Sequence, residues 1–275
     1  MVNKRSLSYC RNNKQLDLKP KVANSTSLSE NISTVSDVRE NIPIAYTKTD
    51  GFLSYSLVCV ISGGTKRERT FLSELERKHT FHNLSVVFVS SPKGKGGLTP
   101  RMMKDVYNRI CKNGKLILPG RTVLLDEVDS IYMFTDVDHY EEDLKDILNA
   151  CNATEVKKWI ISNPDFEVWI YYCYRNNPIE DLFEITCADP SKRSSLLKTI
   201  NGKFNNGGGL DTRKAFESLK TGIIHSKEHY SENNGIPSLL STQMHLFAED
   251  VLLRLGDEYN QWILNKRKKM LSKCD

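Results

Sequence analysis

Short apolar runs alternate with segments of helical periodicity from residue 55 to about residue 175, and this alternation constrains the fold more than any other feature. The apolar runs cover residues 55–61, 84–90, 131–134 and 158–161, and the helix-like segments cover residues 66–79, 99–111, 140–151 and 166–174. Runs of this length bounded by glycine, proline or polar turns are typical of buried strands. Strands that alternate with helices at this spacing favour a mostly parallel sheet with helical crossovers. We therefore predict an α/β fold with a sheet of at least four strands flanked by helices.

Composition divides the chain into three regions. Residues 1–50 are rich in Ser, Asn, Lys and Thr without a sustained period, which predicts a poorly ordered N-terminal arm. Residues 51–188 form the predicted α/β core. Residues 189–275 are polar and helical in pattern, with helices expected over 211–230 and 240–269, so we expect a helical C-terminal extension.

Two local signals place the ends of the helix predicted over 99–111. Thr99 precedes Pro100, a combination that favours an N-cap followed by the first helical position. Gly114 is the expected helix stop, because glycine adopts the left-handed conformation that often follows a helix.

Composition also excludes several classes of protein. The 275 residues are 39% hydrophobic, enough for one good core, but no apolar run approaches the roughly 20 residues of a membrane span. Residues 1–10 are polar and lack the apolar stretch of a secretion signal. The seven cysteines are scattered, odd in number and without a Cys-x-x-Cys pair, which favours a reducing compartment. We expect a cytoplasmic protein without a membrane partner, and its net charge of +5 permits nucleic-acid binding.

Acidic residues follow two of the predicted strands. Asp136 and Asp138 end the third apolar run, and Glu167 follows the Ser162-Asn-Pro164 turn after the fourth. Residues two apart on a strand share a face, and open α/β sheets bind ligands at the carboxyl ends of their strands. Carboxylates held close together favour Mg²⁺, which relieves their repulsion. Taken alone, the two aspartates fit equally well a solvated loop that precedes a helix. Glu167, taken alone, also fits a charge at a helix start that interacts favourably with the helix dipole.

Other motifs are less specific. His225-Ser-Lys-Glu-His229 matches a helical zinc-peptidase pattern, but no third ligand is evident, so two solvated histidines are the favoured interpretation. Residues 266–269 are basic, which fits either a solvated helix end or a phosphate-facing patch. The glycines near Lys95 lack the spacing of a nucleotide-binding P-loop, so ATP binding is not expected.

Four segments between Val58 and Leu253 resemble the RloB-like family, which is found beside bacterial restriction and abortive-infection loci. They are a strand followed by a glycine turn and a charged helix start, an Asp-x-Asp strand end, a Ser-Asn-Pro-x-Phe-Glu-x-Trp string and a Pro-Ser helix entry. In this chain they cover residues 62–71, 134–138, 162–169 and 236–244. The third is the most specific of the four.

The resemblance implies a Toprim-like α/β domain with metal-dependent phosphodiester chemistry. It further implies an antiphage-defence nuclease that acts with an ATPase of the same locus. Asp136, Asp138 and Glu167 would hold Mg²⁺ or Mn²⁺, and Glu68 would be a general base or a further ligand. Lys66, Arg67 and Lys95 would bind phosphate. DNA, phage RNA and host tRNA all remain open as the substrate, and the oligomeric state remains open as well.

The chain departs from the family pattern at the end of the first strand. Where relatives carry Glu-Gly, this chain has Ser62-Gly63 or Gly63-Gly64. Either Glu68 or Glu167 replaces the missing carboxylate, or the protein is a catalytically silent Toprim-like subunit that binds within a defence complex.

Overall fold

The structure, a computed structural model, describes residues 56–77, 80–91 and 96–272, which fall within one compact unit. The predicted arm at residues 1–50 and the predicted phosphate contact at Lys95 lie outside the described residues. The described strands are β1 (Ser56–Ser62), β2 (Leu84–Val89), β3 (Cys111–Lys112), β4 (Lys115–Leu118), β5 (Arg121–Leu124), β6 (Ser130–Asp136), β7 (Trp159–Ser162), β8 (Glu232–Asn233) and β9 (Ile236–Pro237).

Helices connect these strands and make up most of the region after residue 163. They are α1 (Arg67–Glu76), α2 (Pro100–Ile110), α3 (Glu141–Asn149), α4 (Ala153–Val156), α5 (Glu167–Tyr172), α6 (Pro178–Asp181), α7 (Phe183–Thr186), α8 (Pro190–Lys203), α9 (Thr212–Ala215), α10 (Leu219–Glu228), α11 (Met244–Leu255) and α12 (Asp257–Leu271). Among the described residues, none of these helices combines the length and the apolar character needed to cross a lipid bilayer.

The main sheet is parallel, with the strand order β2-β1-β6-β7, which confirms the predicted α/β class. β1 is apolar between its terminal serines and is buried along its whole length, because helices cover both faces of the sheet. Val58 and Val60 pack on one face with residues of α1, α5, α8, α10 and α11. Cys59 and Ile61 pack on the other face with residues of α2 and α3. The helices after residue 189 therefore share one core with the sheet.

Several predicted elements are confirmed and others are wrong. Thr99 accepts a hydrogen bond from Met102 N and caps α2 as expected. Gly114 does not stop that helix: it lies with Asn113 in the turn of a β3–β4 hairpin, and both residues have positive φ. Asn-Gly is the favoured sequence for such a two-residue turn. The small antiparallel sheet of β3, β4 and β5 was not predicted.

The two long C-terminal helices are each interrupted. The helix predicted over 211–230 is divided into α9 and α10 by a short 3₁₀ segment, Phe216–Ser218. The helix predicted over 240–269 is two helices, because Gly256 between α11 and α12 has φ 50°, outside the helical range. The chain thus turns where one long helix was expected, and α11 packs against β7 and β2.

Candidate functional site

The carboxyl ends of β1 and β6 form the point at which the connections of the sheet change sides. β1 lies between β2 and β6, and the helices that follow β1 and β2 pack on opposite faces. Such a switch point leaves a crevice outside the strand ends, where α/β proteins bind ligands. The side chains that follow β1, β6 and β7 therefore determine the chemistry of this edge.

Glycines shape the end of β1. Gly63 N donates to Phe134 O (2.8 Å) and extends the pairing with β6 by one residue. A Cβ at Gly64 would lie 2.0 Å from Glu68 Oε1, so the carboxylate of Glu68 occupies the space left by the missing side chain. Glu68 is in the first turn of α1 and is 5% exposed. The glycine turn therefore folds the first carboxylate of α1 back over the strand end.

Asp136 is the last residue of β6 and is paired in register with Ser162 of β7. Its side chain is half-buried. Asp138 lies beyond the strand, where its backbone N–H donates to Pro164 O (3.1 Å) and its carboxylate lies 3.6 Å from the ring of His139. Because β6 ends at Asp136, the alternation of side chains between the two faces of the strand does not continue to Asp138.

The segment after β7 delivers two carboxylates. Asp165 Oδ1 accepts a hydrogen bond from Glu167 N (3.1 Å), and both residues are buried. The side-chain amide of Asn163, in the turn between β7 and these carboxylates, donates to Pro237 O (2.8 Å). The turn is thereby tied to the segment that precedes α11.

Four carboxylates from these three connections influence one another. Burial, followed by the charges of Asp165, Glu68 and Glu167, raises the pKa of Asp136 well above its usual value. Burial also raises the pKa of Glu68 to about 7 and, together with the charge of Glu167, raises the pKa of Asp165 to about 8. The pKa of Glu167 is raised mainly by burial. We call Glu68, Asp136, Asp165 and Glu167 the carboxylate cluster.

Two cations compensate part of this charge. Lys198 Nζ, on α8, lies 3.1 Å from Asp165 Oδ2, and half of the lysine side chain (50%) is exposed. Arg67 Nε lies 3.5 Å from Glu167 Oε1, and its Nη1 donates to Thr212 Oγ1 (3.1 Å). Partial burial opposes ionisation of Lys198, but Asp165 and Glu167 raise its pKa, so it remains charged.

A recess of about 310 Å³ opens beside the cluster. Arg67, Glu167, Lys198 and Asn201 line one part of it, and glycines 207–209 line another. Asn201 Nδ2 donates to Glu167 O (3.0 Å) and links α8 to the start of α5. The recess therefore has two cations, exposed backbone and access to one carboxylate of the cluster.

The donor set of the cluster suits a hard divalent cation, because all four groups are carboxylates. Asp165 Oδ2 and Glu167 Oε1 are buried and have ion pairs but no hydrogen bonds among the described residues. As placed, however, no three His, Cys, Asp or Glu side chains of the described ranges are arranged to hold a metal ion. A cation at this edge would therefore require the side chains to move closer together, with Lys198 leaving Asp165.

The histidines of the His-x-x-Glu-His motif contact separate partners. His225 Nδ1 lies 2.9 Å from Tyr172 O, and His229 Nε2 lies 3.0 Å from Asn176 Oδ1. The ring of His229 also stacks on Tyr172. These contacts explain both histidines as parts of the packing between α5 and α10.

The structure brings together three of the four predicted catalytic residues, Glu68, Asp136 and Glu167. The carboxylate of the fourth, Asp138, lies beside the ring of His139. Two of the predicted phosphate contacts lie in the described residues. Arg67 lines the recess, and Lys66, the residue that precedes Arg67 in the sequence, is exposed. Sequence reasoning missed Asp165 and Lys198. Asp165 had a signal, since it precedes Glu167 at the same two-residue spacing as Asp136 and Asp138. No sequence signal pointed to Lys198, because it lies on α8, far from Asp165 in the sequence.

The chain matches no protein-family model, no curated protein and no solved structure.

Proposed function

We propose that the protein is a metal-dependent nuclease that cleaves phosphodiester bonds from the carboxyl edge of its sheet. The observation that supports this most is the convergence of four carboxylates, from the ends of β1, β6 and β7, beside a recess that carries Arg67 and Lys198. Carboxylates that hold a divalent cation next to cations that hold a phosphate are the parts that phosphodiester hydrolysis requires.

Each residue has a role in this proposal. Asp136, Asp165 and Glu167 would hold Mg²⁺ or Mn²⁺, which polarises the scissile phosphate and lowers the pKa of a bound water. Glu68, with its pKa near 7, is suited to accept a proton from the attacking water. Arg67 and Lys198 would bind the phosphate oxygens through charge-assisted hydrogen bonds.

The RloB-like and Toprim-like resemblance is part of the proposal. A parallel sheet with Asp136 at the end of its third core strand, and with Asp165 and Glu167 after the fourth, supports that resemblance. At the end of β1, the carboxylate of Glu68 over Gly64 would replace the glutamate that relatives carry. On this basis we propose a cytoplasmic antiphage-defence effector that acts with an ATPase of the same locus on DNA or RNA.

One observation favours the alternative, a catalytically silent Toprim-like binding subunit. Lys198 is already paired with Asp165, and an ammonium group in that position neutralises the cluster without a metal. A site neutralised in this way has no need of a cation for stability. The protein would then use the same edge to bind nucleic acid or its ATPase partner.

A cleavage assay distinguishes the nuclease from the catalytically silent binding subunit. The full chain, alone and with the purified ATPase, is incubated with end-labelled duplex DNA, single-stranded DNA, RNA and tRNA in Mg²⁺, Mn²⁺ or EDTA. The nuclease proposal predicts cleavage that requires the cation and falls at least about 100-fold in Asp136→Asn, the scale of losing a metal-held group. Cleavage that is equal in wild type and Asp136→Asn would exclude this site, and no cleavage under any condition would favour the silent subunit.

A further inference from the structure

A second concave surface runs along the outer side of α1, separate from the recess of the carboxylate cluster. This α1 groove has a volume of about 510 Å³ and is lined by Lys66, Arg69, Arg77 and Arg213, with Glu76 as its one acidic residue. Arg69 lies 3.5 Å from Glu76. Arg77 forms an ion pair with Glu74, a residue that does not line the groove. Lys66 and Arg213 pair with no carboxylate in the described part of the chain. The groove is therefore strongly cationic.

The cations are arranged in a row. Lys66, Arg69 and Arg77 follow one side of α1, with intervals of three and eight residues that return to the same helix face. At a rise of about 1.5 Å per residue, the row is about 16 Å long. That length matches about four or five nucleotides at about 3.4 Å per nucleotide of a strand.

Hydroxyl groups lie between the cations. Thr65, Thr70 and Ser73 line the same groove. Thr70 Oγ1 donates to Lys66 O (2.6 Å), and Ser73 Oγ is buried without a hydrogen-bond partner within the described ranges. Serine and threonine hydroxyls, together with arginine and lysine, are the groups that contact phosphate oxygens in nucleic-acid complexes. The described residues that line the groove include no aromatic side chain on which a base could stack.

The groove is connected to the carboxylate cluster by one residue. Arg67 follows Lys66 of the groove, and its guanidinium contacts both Glu167 of the cluster and Thr212, which precedes Arg213 of the groove. A chain of phosphates that lies in the groove is thus directed to the recess beside the cluster.

We propose that the α1 groove binds the sugar–phosphate backbone of a nucleic-acid strand, independently of its sequence, and guides it to the carboxylate cluster. This rests on the proposed nuclease function and identifies the path of the substrate. The combination of arginine and lysine with serine and threonine hydroxyls, the groups that contact phosphate oxygens, favours a nucleic-acid strand over an acidic protein segment.

The test measures binding of a fluorescein-labelled single-stranded 15-mer to the full chain by anisotropy, in EDTA and at several KCl concentrations. Arg77→Glu/Arg213→Glu should weaken binding at least about tenfold and make the slope of log K against log salt shallower by about 1 to 2, since each lost single-strand phosphate contact removes about 0.7. The control Lys112→Glu/Lys115→Glu makes the same charge change at exposed positions of the β3–β4 hairpin. It should stay within about twofold of wild type, because it leaves the phosphate contacts in place.

Equal binding by the groove variant and the hairpin control would overturn the proposal. Binding of a polyglutamate peptide that is as tight as that of the 15-mer, and that is lost in the groove variant, would overturn it in favour of an acidic protein partner. Because the assay contains EDTA, its result is independent of cleavage. Loss of the groove effect with retained cleavage rejects only the groove, and a groove effect without cleavage rejects only the nuclease.

Discussion

Lys198 Nζ lies 3.1 Å from Asp165 Oδ2, which places a lysine of the C-terminal helices at the carboxyl end of the parallel sheet. The two residues belong to regions that differ in composition, yet they form one electrostatic unit with Glu68, Asp136 and Glu167. The carboxylate cluster is therefore assembled from both regions. In the proposed nuclease, α8 supplies the cation that stabilises the cluster before a metal ion binds.

Replacing Lys198 by methionine should destabilise the protein at pH 8, because Asp165 would lose its partner while remaining buried. Removing one member of a buried ion pair costs several kcal/mol, and the half-exposed position of Lys198 reduces the expected loss to about 1–2 kcal/mol. Urea unfolding at pH 8 measures the difference. Lys192→Met is the control on the same helix, since Lys192 pairs with Asp189 at 3.8 Å and both side chains are exposed. Equal losses in the two variants would contradict the compensating role of Lys198.

Stability should fall as the pH rises from about 5 to about 8.5 in EDTA. The pKa of Glu68 is raised from 4.5 to about 7 and that of Asp165 from 3.8 to about 8, so the folded state holds more protons than the unfolded state between those values. A raised carboxylate pKa contributes stability at low pH that is lost as the pH passes through the folded-state value. The melting temperature of Glu68→Gln/Asp165→Asn should depend less on pH than that of wild type. Parallel curves for the two proteins would contradict the raised pKa values.

Gly64→Ala should disturb function more than stability. The new Cβ would lie about 2 Å from the Glu68 carboxylate, which is the movable end of a side chain and can swing away. We expect a melting temperature within a few degrees of wild type, and a loss of cleavage similar to that of Glu68→Gln. Gly96→Ala is the control, because its added Cβ meets no atom within 4 Å. Full cleavage activity in Gly64→Ala would show that the position of Glu68 is unimportant.

The sheet could be predicted because its strands are largely buried, and β1, β2 and β7 are buried along their whole length. Each carries an apolar run, and a glycine or proline follows β1, β2 and β7 within a few residues. The β3–β4 hairpin was missed because Gly114 comes only a few residues after α2 and was interpreted as the stop of that helix. β3 has only two residues, too few to show an alternating pattern.

The site could be predicted only where its residues follow strands in the sequence. Asp136 and Glu167 were found in this way. Asp138 was grouped with Asp136 on the assumption that β6 continues, but the strand ends at Asp136. Lys198 reaches the cluster through packing of α8 on α5, which brings together residues more than thirty positions apart and leaves no local pattern.

Binding of Mn²⁺ to the purified full chain tests the central claim, that the carboxylate cluster is a divalent-cation site, most directly. Titration calorimetry at pH 8 should show a bound ion in wild type and at least about tenfold weaker binding in Asp136→Asn, which removes a charged oxygen ligand from the cluster. Asp138→Asn makes the same change at the aspartate that pairs with His139, and it should bind Mn²⁺ within about threefold of wild type. Wild-type affinity in Asp136→Asn, or a greater loss in Asp138→Asn than in Asp136→Asn, would contradict the assignment of the cluster as the metal site.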